Sequence, residues 1–546
     1  MPAKTLPSRP QIGLWVAVLA LATAISLWNY QSIQIGVNGD DSEYAVLARS
    51  LVFSRSYGLI NIAGQAGSAR YPFGYPLVLA PVAWLWPDQL DALKIPSLIA
   101  TLLNAALLFW GWRSFSKNLS YWWGLAVSSL YVLSPLTIGQ ARVVMSEPVF
   151  TTFCLASIVL AERARERRQG WLWFALMSLC LLLTVFTRTI GLVLVLVIWG
   201  YLFAVRGRMA WKEIAGLAAG MAVLLALVIA LTPVQLSSVI PSVYASQFAA
   251  PSKFGQAPQE DTIPGRVVLG VRDYVGQYVQ QVVLPVGGGE REAALAGRIG
   301  LPALPALIGL VVALVVAFGL FQWAARQGIS VALMFAAAYL AVILLWPWRS
   351  TRFLYPVQPQ LFLGFLLGMS TLLAWALAVA RGAKARSQPR RLAGLLGGLV
   401  LAMAALSVYK GVTLTLDDSW LHTGDLALRT AWLRSNSDGG AIVMSEEPQT
   451  DYLYGGRKTV PYASFGTPEQ LDQYLRDQHV TYIVVASQLQ WQTAYAPAYS
   501  SNANQILALI ETLARDGRAR LAYNYEPQLV RIYQVSPSPA AGQNSN

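Results

Sequence analysis

The chain contains repeated apolar stretches of about 20 residues, the length that crosses the hydrocarbon core of a bilayer as an α-helix. It is 55% hydrophobic and only 12% charged, whereas soluble domains carry about 25% charged residues. These features predict a polytopic, all-α membrane protein with about 11 transmembrane helices. We place the spans at 12–30, 93–112, 120–139, 147–161, 171–187, 189–205, 213–233, 301–323, 329–347, 353–380 and 392–413.

The formal net charge of +13 is distributed along the chain as a topology signal. Basic residues cluster in alternate loops, and such loops lie on the cytoplasmic side. The charge is therefore no evidence for nucleic acid, which we do not expect as a partner. We predict a multi-pass protein of the inner (cytoplasmic) membrane with a cytoplasmic N-terminus. An odd number of spans places the loops 31–92 and 236–300 and the C-terminal region outside.

The composition changes near residue 414 to that of a soluble domain. We predict a transmembrane domain over 1–413 and a small extracytoplasmic α/β domain over 414–535. Thr467–Gln470 form a capping box that opens a helix in this domain. We expect 536–546 to be disordered. In the first outer loop (31–92), Leu77 to Trp86 indicates an interfacial helix. The loop 236–300 is polar and is a candidate lid.

The side-chain inventory limits the chemistry. His422 and His479 are the only histidines and lie near the C-terminal end, and Cys154 and Cys180 fall in apolar runs. A histidine metal site, a Ser-His-Asp triad and a disulfide framework are therefore not expected in the membrane part. Chemistry there depends on carboxylates, arginines, tyrosines and the backbone.

The segment 38–44 brings Asp40, Asp41 and Glu43 to the end of the first span. Acidic groups next to a membrane are costly and are commonly functional, and Gly39 permits a tight turn. Adjacent carboxylates can act as a general base or bind a hard divalent cation. The alternative is a polar loop in which Asp40 caps a helix starting near Ser42. The residues that follow, 45–52, have the spacing of an amphipathic helix lying on the membrane.

Four arginines lie at predicted outer span ends, where the topology rule disfavours positive charge. Arginine binds phosphate through two parallel hydrogen bonds, so together they suit a phosphate group. Each one could instead reach the interface or pair with an acid. Glu147 starts a span, where it could support Asp40, contact an acceptor or favour the helix N-terminus. The arginines are Arg142, Arg188, Arg349 and Arg352.

This layout resembles the polyprenol-dependent membrane glycosyltransferases of the GT-C superfold, especially the lipid A aminoarabinose transferase and protein O-mannosyltransferase group. Asp40–Tyr44 is similar to the Asp-Glu pair and Tyr in the family's first outer loop, with Asp41 in place of Glu. Tyr71–Pro76 is similar to the Tyr-Pro-Pro-Gly-Tyr-Pro-like segment that follows, and Arg70 stands where the family has Lys. Further matches are Glu147, Arg188 with Gly191, and Arg352 to Pro356.

The resemblance implies transfer of a sugar from a polyprenyl-phosphate donor to a glycan, glycolipid or protein acceptor, with inversion. Asp40 and Asp41 would be catalytic, with Asp40 the base or orienting carboxylate and a divalent cation a possible addition. The donor phosphate would be bound by Arg70, Arg188, Arg349, Arg352 and Tyr355. Residues that contact the acceptor or support the site would be Glu43, Tyr44, Tyr71, Tyr75, Arg142 and Glu147.

Other classes remain open at this point. A transporter or flippase for a lipid-linked or anionic solute would place charges near the midplane and show repeated halves, whereas the charges here lie at span ends. A membrane-anchored binding protein would leave the outer acids and arginines unexplained. Transfer of a group other than a sugar lacks a nucleophile constellation.

Overall fold

The computed structural model describes residues 6–63, 69–164, 170–232, 243–250, 261–284, 296–298, 300–328, 330–381, 389–416, 423–463, 465–486, 497–528 and 530–536. The predicted tail beyond residue 536 lies outside them.

The membrane part is a bundle of helices whose ends meet in short turns. Its helices are α1 (Arg9–Leu27), α2 (Asp40–Arg49), α3 (Gly74–Leu85), α4 (Ile95–Trp110), α5 (Trp112–Phe115), α6 (Tyr121–Leu133), α7 (Pro135–Ala141), α8 (Glu147–Ala164), α9 (Trp171–Thr187), α10 (Leu192–Arg206), α11 (Ala210–Leu231), α12 (Val243–Ala249), α13 (Ile263–Asp273), α14 (Val279–Val283), α15 (Leu304–Gln327), α16 (Val331–Leu345), α17 (Gln358–Arg381) and α18 (Pro389–Leu416). Short 3-10 turns precede α4, α10 and α17, at Leu90–Lys94, Thr189–Gly191 and Thr351–Val357.

A helix lies at each of the predicted spans, and 7 helices among the described residues are long and apolar enough to cross a membrane. The others fall short for separate reasons. The span at 120–139 is broken at Ser134 into α6 and α7. Helix α8 carries Glu147, Glu162 and Arg163, while α9 and α16 have 17 and 15 residues. The multi-pass membrane class is confirmed, and the exact number of spans stays a prediction.

The helix that follows the acidic turn is an internal element. Helix α2 begins at Asp40, one residue after Gly39, and not near Ser42. Every residue from Asp41 to Ala48 is buried, so the prediction of a helix lying on the membrane surface was wrong. Apolar residues on one face cannot distinguish a membrane surface from a protein surface, and here the covering surface is α3 and the C-terminal domain.

Helix α3 has the two-sided character expected of an interfacial helix. Tyr75, Leu79 and Ala83 are buried against α2, while Trp84 is exposed on the other side. The observed helix begins a few residues before the predicted one because Pro76 is accommodated in its first turn.

The predicted outer loop 236–300 is described in part and contains helices. The short helix α12 precedes a helical stretch, Ile263–Val283, formed by α13, a π-helical turn and α14. The buried Arg266 donates a hydrogen bond of 2.6 Å to the Phe248 carbonyl and thereby joins α13 to α12. The segments 233–242, 251–260 and 285–295 lie outside the described residues, and the lid stays a prediction.

The C-terminal region folds as a mixed α/β domain. Its helices are α19 (Thr423–Asn436), α20 (Pro448–Gly455), α21 (Pro468–Asp477) and α22 (Pro497–Arg515), and its strands are β1 (Ile442–Ser445), β2 (Lys458–Pro461), β3 (Tyr482–Val485), β4 (Ala519–Tyr525) and β5 (Val530–Val535). The sheet has the order β2-β1-β3-β5-β4, with β1 parallel to β2 and β3 and with β5 antiparallel to β3 and β4. Thr467 caps α21 as the capping box predicts; α19, α20 and β2 were not predicted.

This domain is docked on the loop 31–92. The backbone N–H of Thr459 donates to the Asn61 carbonyl at 2.8 Å, so the loop extends the sheet at β2. The Ile35 N–H donates to the Tyr454 hydroxyl at 3.1 Å. A Cβ on Gly36 would lie 2.6 Å from Thr450. The domain therefore contacts the segment immediately before Asp40.

Candidate active site

A cavity of about 550 Å³ opens where the helix ends expected on the outer side converge. Polar groups line one part of it and apolar side chains line the other. Its polar lining residues are Asp40, Tyr44, Arg70, Tyr71, Thr187, Arg188, Thr189, Gln247, Tyr339 and Arg352. Its apolar lining residues are Ile190, Val193, Phe248, Val342, Ile343, Leu345, Trp346, Trp348 and Phe353.

Asp40 is at the centre of the polar part. One carboxylate oxygen, Oδ1, accepts a hydrogen bond of 2.6 Å from the Tyr71 hydroxyl. The other, Oδ2, pairs with Arg352 Nη2 at 2.7 Å. Burial acts to raise the pKa of Asp40, but Arg352, the Tyr71 hydrogen bond and Arg188 outweigh it, so the pKa lies below its ordinary value. Asp40 is therefore an oriented, ionised carboxylate.

Behind Asp40, Glu147 links the two arginines. Its Oε1 lies 2.6 Å from Arg188 Nη1 and 3.8 Å from Arg352 Nε. The Glu147 side chain is only 1% exposed, so its charge is compensated by these two guanidinium groups. Both guanidinium groups also lie over the ring of Phe353, at 5.8 Å and 5.4 Å from its centroid. The result is a pair of neighbouring arginines held in one orientation.

Glu43 and Arg70 form a second pair at the cavity edge. Arg70 donates through Nε and Nη2 to Glu43 Oε2, at 2.8 Å and 2.6 Å, and through its backbone N–H to Oε1. The Glu43 side chain is fully buried, and burial raises its pKa against the opposing effect of Arg70. Tyr44 packs against Tyr71, with ring centroids 4.7 Å apart. The Glu43–Arg70 pair and the Tyr44 ring together hold Tyr71 in place, and Tyr71 in turn orients Asp40.

Asp41 does not line the cavity. Its Oδ1 accepts from the Ser42 backbone N–H, and its carboxylate also interacts with the N–H groups of Gly36 and Asn38. Burial raises the pKa of Asp41 to about 6. The predicted catalytic carboxylate pair is therefore divided: Asp40 faces the cavity and Asp41 organises the turn.

This division bears on a divalent cation. Asp40 is engaged by Arg352 and Tyr71, while Asp41 is directed to backbone N–H groups. Within the described parts of the chain, no group of three or more His, Cys, Asp or Glu side chains is arranged to hold a metal ion. The residues present do not form the ligand set of a hard cation, and we derive no step through one.

Besides Asp41, Glu43 and Glu147, four more predicted site residues are absent from the cavity lining. Tyr75 is buried and its hydroxyl shares a 3.0 Å hydrogen bond with Ser97. Arg142 is fully buried and donates to the Asn29 carbonyl at 2.6 Å. Tyr75 thus joins α3 to α4, and Arg142 joins the end of α7 to the segment that follows α1.

The other two were predicted to bind the donor phosphate. Arg349 pairs with Asp273 on α13 at 2.7 Å. Tyr355 is buried, and its hydroxyl shares a 3.3 Å hydrogen bond with Thr101. Arg349 thus joins α13 to the end of α16, and Tyr355 packs inside the helix bundle. Their positions give no support to the prediction that they bind the donor phosphate.

The apolar wall was not predicted. Trp346 and Trp348 lie at the end of α16, and Phe248 on α12 stacks on Trp346 at 6.4 Å. The sequence does contain a signal for two of them, since tryptophans at a span end commonly lie at the membrane interface. Phe248 comes from a polar stretch and has no comparable signal.

Part of the chain matches a known protein-family model. Residues 91–252 match the family model described as dolichyl-phosphate-mannose-protein mannosyltransferase. The matched region includes Glu147, Arg188 and Phe248. No curated protein sequence matches the chain.

Solved structures share the fold over nearly the whole chain. ArnT from Cupriavidus metallidurans, bound to undecaprenyl phosphate, is 13% identical with a TM-score of 0.54, covering 97% of this chain and 99% of that one. The Archaeoglobus fulgidus oligosaccharyltransferase tethered with an acceptor peptide is 13% identical with a TM-score of 0.56, covering 96% and 74%. AglB from the same organism, in complex with an inhibitory peptide and a dolichol-phosphate, is 11% identical with a TM-score of 0.51, covering 88% and 70%.

These findings agree with the interpretation of the sequence. The predicted resemblance to polyprenol-dependent glycosyltransferases of the GT-C superfold is confirmed. The predicted class of enzyme, a membrane glycosyltransferase, agrees with the family model that residues 91–252 match.

Proposed function

We propose that this chain transfers a sugar from a polyprenyl-phosphate donor to an acceptor, with inversion, in the cavity beside Asp40. The observation that carries the proposal is the continuous line of charges Asp40–Arg352–Glu147–Arg188. It places a carboxylate next to two oriented guanidinium groups, which is what base-assisted displacement of a phosphate requires.

The cavity suits the two parts of such a donor. Arg188 and Arg352 present forked donors to a phosphate. The apolar wall, with Trp346, Trp348 and Phe248, suits the first isoprenoid units of a lipid that enters sideways from the bilayer. The matched family is named for a dolichyl-phosphate sugar, and two structures of this fold hold a polyprenyl phosphate. These observations favour a lipid-linked donor over a nucleotide sugar.

The proposed reaction follows from these positions. A nucleophilic O–H or N–H group of the acceptor lies against Asp40 and transfers its proton to the carboxylate. The nucleophile forms a bond to the anomeric carbon while the bond from that carbon to the phosphate oxygen breaks. The lipid phosphate leaves with the electron pair, and the arginines stabilise its developing charge. The attack is in line, so the configuration at the anomeric carbon inverts.

The acceptor belongs to one of three classes of molecule that reach the extracytoplasmic face of the inner membrane: a glycan, a glycolipid or a protein. We propose that the cavity opens on the extracytoplasmic side of the inner membrane, with the N-terminus in the cytoplasm. The support for this orientation is the distribution of basic residues, which are concentrated at the helix ends opposite the cavity. The C-terminal domain then lies outside, above the first outer loop.

The test is transfer of radiolabelled sugar by the purified chain in lipid nanodiscs. The donors are a panel of polyprenyl-phosphate sugars and, separately, nucleotide sugars, each offered with a membrane extract as the source of acceptor. We expect label transfer from at least one lipid-linked donor and none from nucleotide sugars. Transfer from nucleotide sugars alone would contradict the proposal.

A further inference from the structure

Within the described lining of the cavity, every cation is already paired with a carboxylate. Arg70 pairs with Glu43, Arg188 with Glu147 and Arg352 with Asp40, at 2.6, 2.6 and 2.7 Å. The formal charges of these six groups cancel. An incoming phosphate therefore meets no uncompensated positive charge in this set, and it competes with a carboxylate for the arginine that binds it.

Exposure distinguishes the three pairs. The side chains of Glu43 and Glu147 are 0% and 1% exposed, so losing an arginine would leave a buried charge, which is strongly unfavourable. The Asp40 and Arg352 side chains are 25% and 27% exposed. Asp40 also keeps the Tyr71 hydrogen bond when Arg352 leaves. The Asp40–Arg352 pair is the one that can separate at the lowest cost.

The geometry also gives Arg352 somewhere to go. Its Nε already lies 3.8 Å from Glu147, and its guanidinium group rests over the Phe353 ring beside that of Arg188. If Nη2 turned from Asp40 towards the cavity, the guanidinium group would keep Glu147 and the Phe353 ring as neighbours, and the charge of Glu147 would stay compensated.

We propose that Arg352 is an exchangeable counterion: in the empty site it neutralises Asp40, and the donor phosphate binds by taking Arg352 away from Asp40. This inference rests on the proposed function and adds to it the order in which the donor and the acceptor take part. A carboxylate paired with arginine is a weak base, and its release strengthens it. Donor binding therefore activates Asp40, and the donor binds before the acceptor reacts.

The inference predicts that Asp40→Asn, which removes the competing charge, binds the donor phosphate more tightly than the wild type does, although the same change prevents transfer. The test is calorimetric binding of farnesyl phosphate to the wild type and to Asp40→Asn, with farnesol as the phosphate-free control. The expected gain is about tenfold, corresponding to one pKa unit of interaction. The second arm repeats the comparison in an Arg352→Gln background, where the gain should vanish because no exchange remains.

The outcomes separate this inference from the proposed function. Equal or weaker binding by Asp40→Asn overturns the inference, as does an equal gain in the Arg352→Gln background, which would show simple repulsion between Asp40 and the phosphate. No binding of farnesyl phosphate by any folded variant counts against the proposed function itself. If Arg352→Gln does not fold, Arg352→Lys takes its place, because lysine keeps the charge but not the forked geometry, and the gain should then be reduced.

Discussion

At the scale of single residues, the site depends on how Asp40 is held. The carboxylate has one oxygen on Tyr71 and the other on Arg352. Both contacts join residues far apart in sequence, and both lower the pKa of Asp40 against the effect of burial. Orientation and ionisation are thus supplied by the same two neighbours.

Tyr71→Phe should reduce kcat by about tenfold or more, since a hydrogen bond to a charged group contributes about 1.5–3 kcal/mol. It should also raise the pKa of Asp40, because the lost hydrogen bond lowers that pKa. The acid limb of the kcat/KM profile then moves to higher pH, so activity disappears earlier as the pH falls. The measurement is a pH profile of transfer for both proteins. Tyr121→Phe, at the far end of the bundle, is the matched control, and an unshifted acid limb in Tyr71→Phe would contradict the account.

The sequence predicted much of this site because its charges stand at span ends. Asp40, Arg188, Arg352 and Glu147 follow from that position alone. Tyr355, three residues beyond Arg352, is directed into the bundle, where its hydroxyl shares a hydrogen bond with Thr101. Asp41 likewise points away from its neighbour. The direction of a side chain inside a turn is set by packing, and it cannot be predicted from the positions of the membrane spans in the sequence.

At the scale of elements, the turn before α2 joins the two domains. Gly36 has φ +119°, a conformation that L-residues rarely adopt, and its Cα faces Thr450 of the C-terminal domain. Its N–H interacts with the Asp41 carboxylate. A contact in the C-terminal domain is therefore connected through one turn to the start of the helix that carries Asp40.

Gly36→Ala should destabilise the protein by about 1–3 kcal/mol, because the new Cβ meets both an unfavourable φ and a close neighbour. Thermal unfolding should show a lower Tm, and transfer activity should fall because Asp40 is displaced. Gly13→Ala is the control, since a Cβ there meets nothing within 4 Å and the residue lies in a helix. Equal Tm values for the two variants would contradict the proposed docking.

The elements themselves were largely predictable. Apolar length located the membrane helices, and the capping box at Thr467 located α21. Helix α2 was misplaced on the membrane surface because its pattern does not reveal that another domain covers it. Strand β2 was missed because its four residues, Lys458–Pro461, are too few to carry a clear alternating pattern.

At the scale of the whole molecule, the helix bundle forms the cavity and the C-terminal domain packs against the loop 31–92. The domain contains its own buried charges: Arg429 contacts Asp425, Glu447 and Asp451 at 3.2, 2.9 and 2.6 Å. Burial raises the pKa of Glu447 to about 7, although Arg429 opposes the shift. When Glu447 is ionised, the single guanidinium group of Arg429 faces three carboxylates.

Glu447→Gln should therefore stabilise the protein at high pH. A carboxyl whose pKa is raised in the folded state favours folding least when it is ionised, so stability falls between the usual pKa of 4.5 and about 7. The variant loses this dependence and keeps the hydrogen bond from Arg429. We expect its Tm to exceed that of the wild type at pH 8 and to match it at pH 5. A lower Tm at both pH values would contradict this assignment.

The most direct measurement of the central claim is transfer from polyprenyl-phosphate donors by wild type, Asp40→Asn and Asp88→Asn. Asp88 is exposed in the same outer loop, so its substitution matches the chemistry without touching the cavity. The account predicts that Asp40→Asn loses at least about 100-fold in kcat, as expected for loss of a general base, while its Tm and that of Asp88→Asn stay near the wild-type value and Asp88→Asn remains active. Full activity in a folded Asp40→Asn variant would contradict the claim and place the base elsewhere.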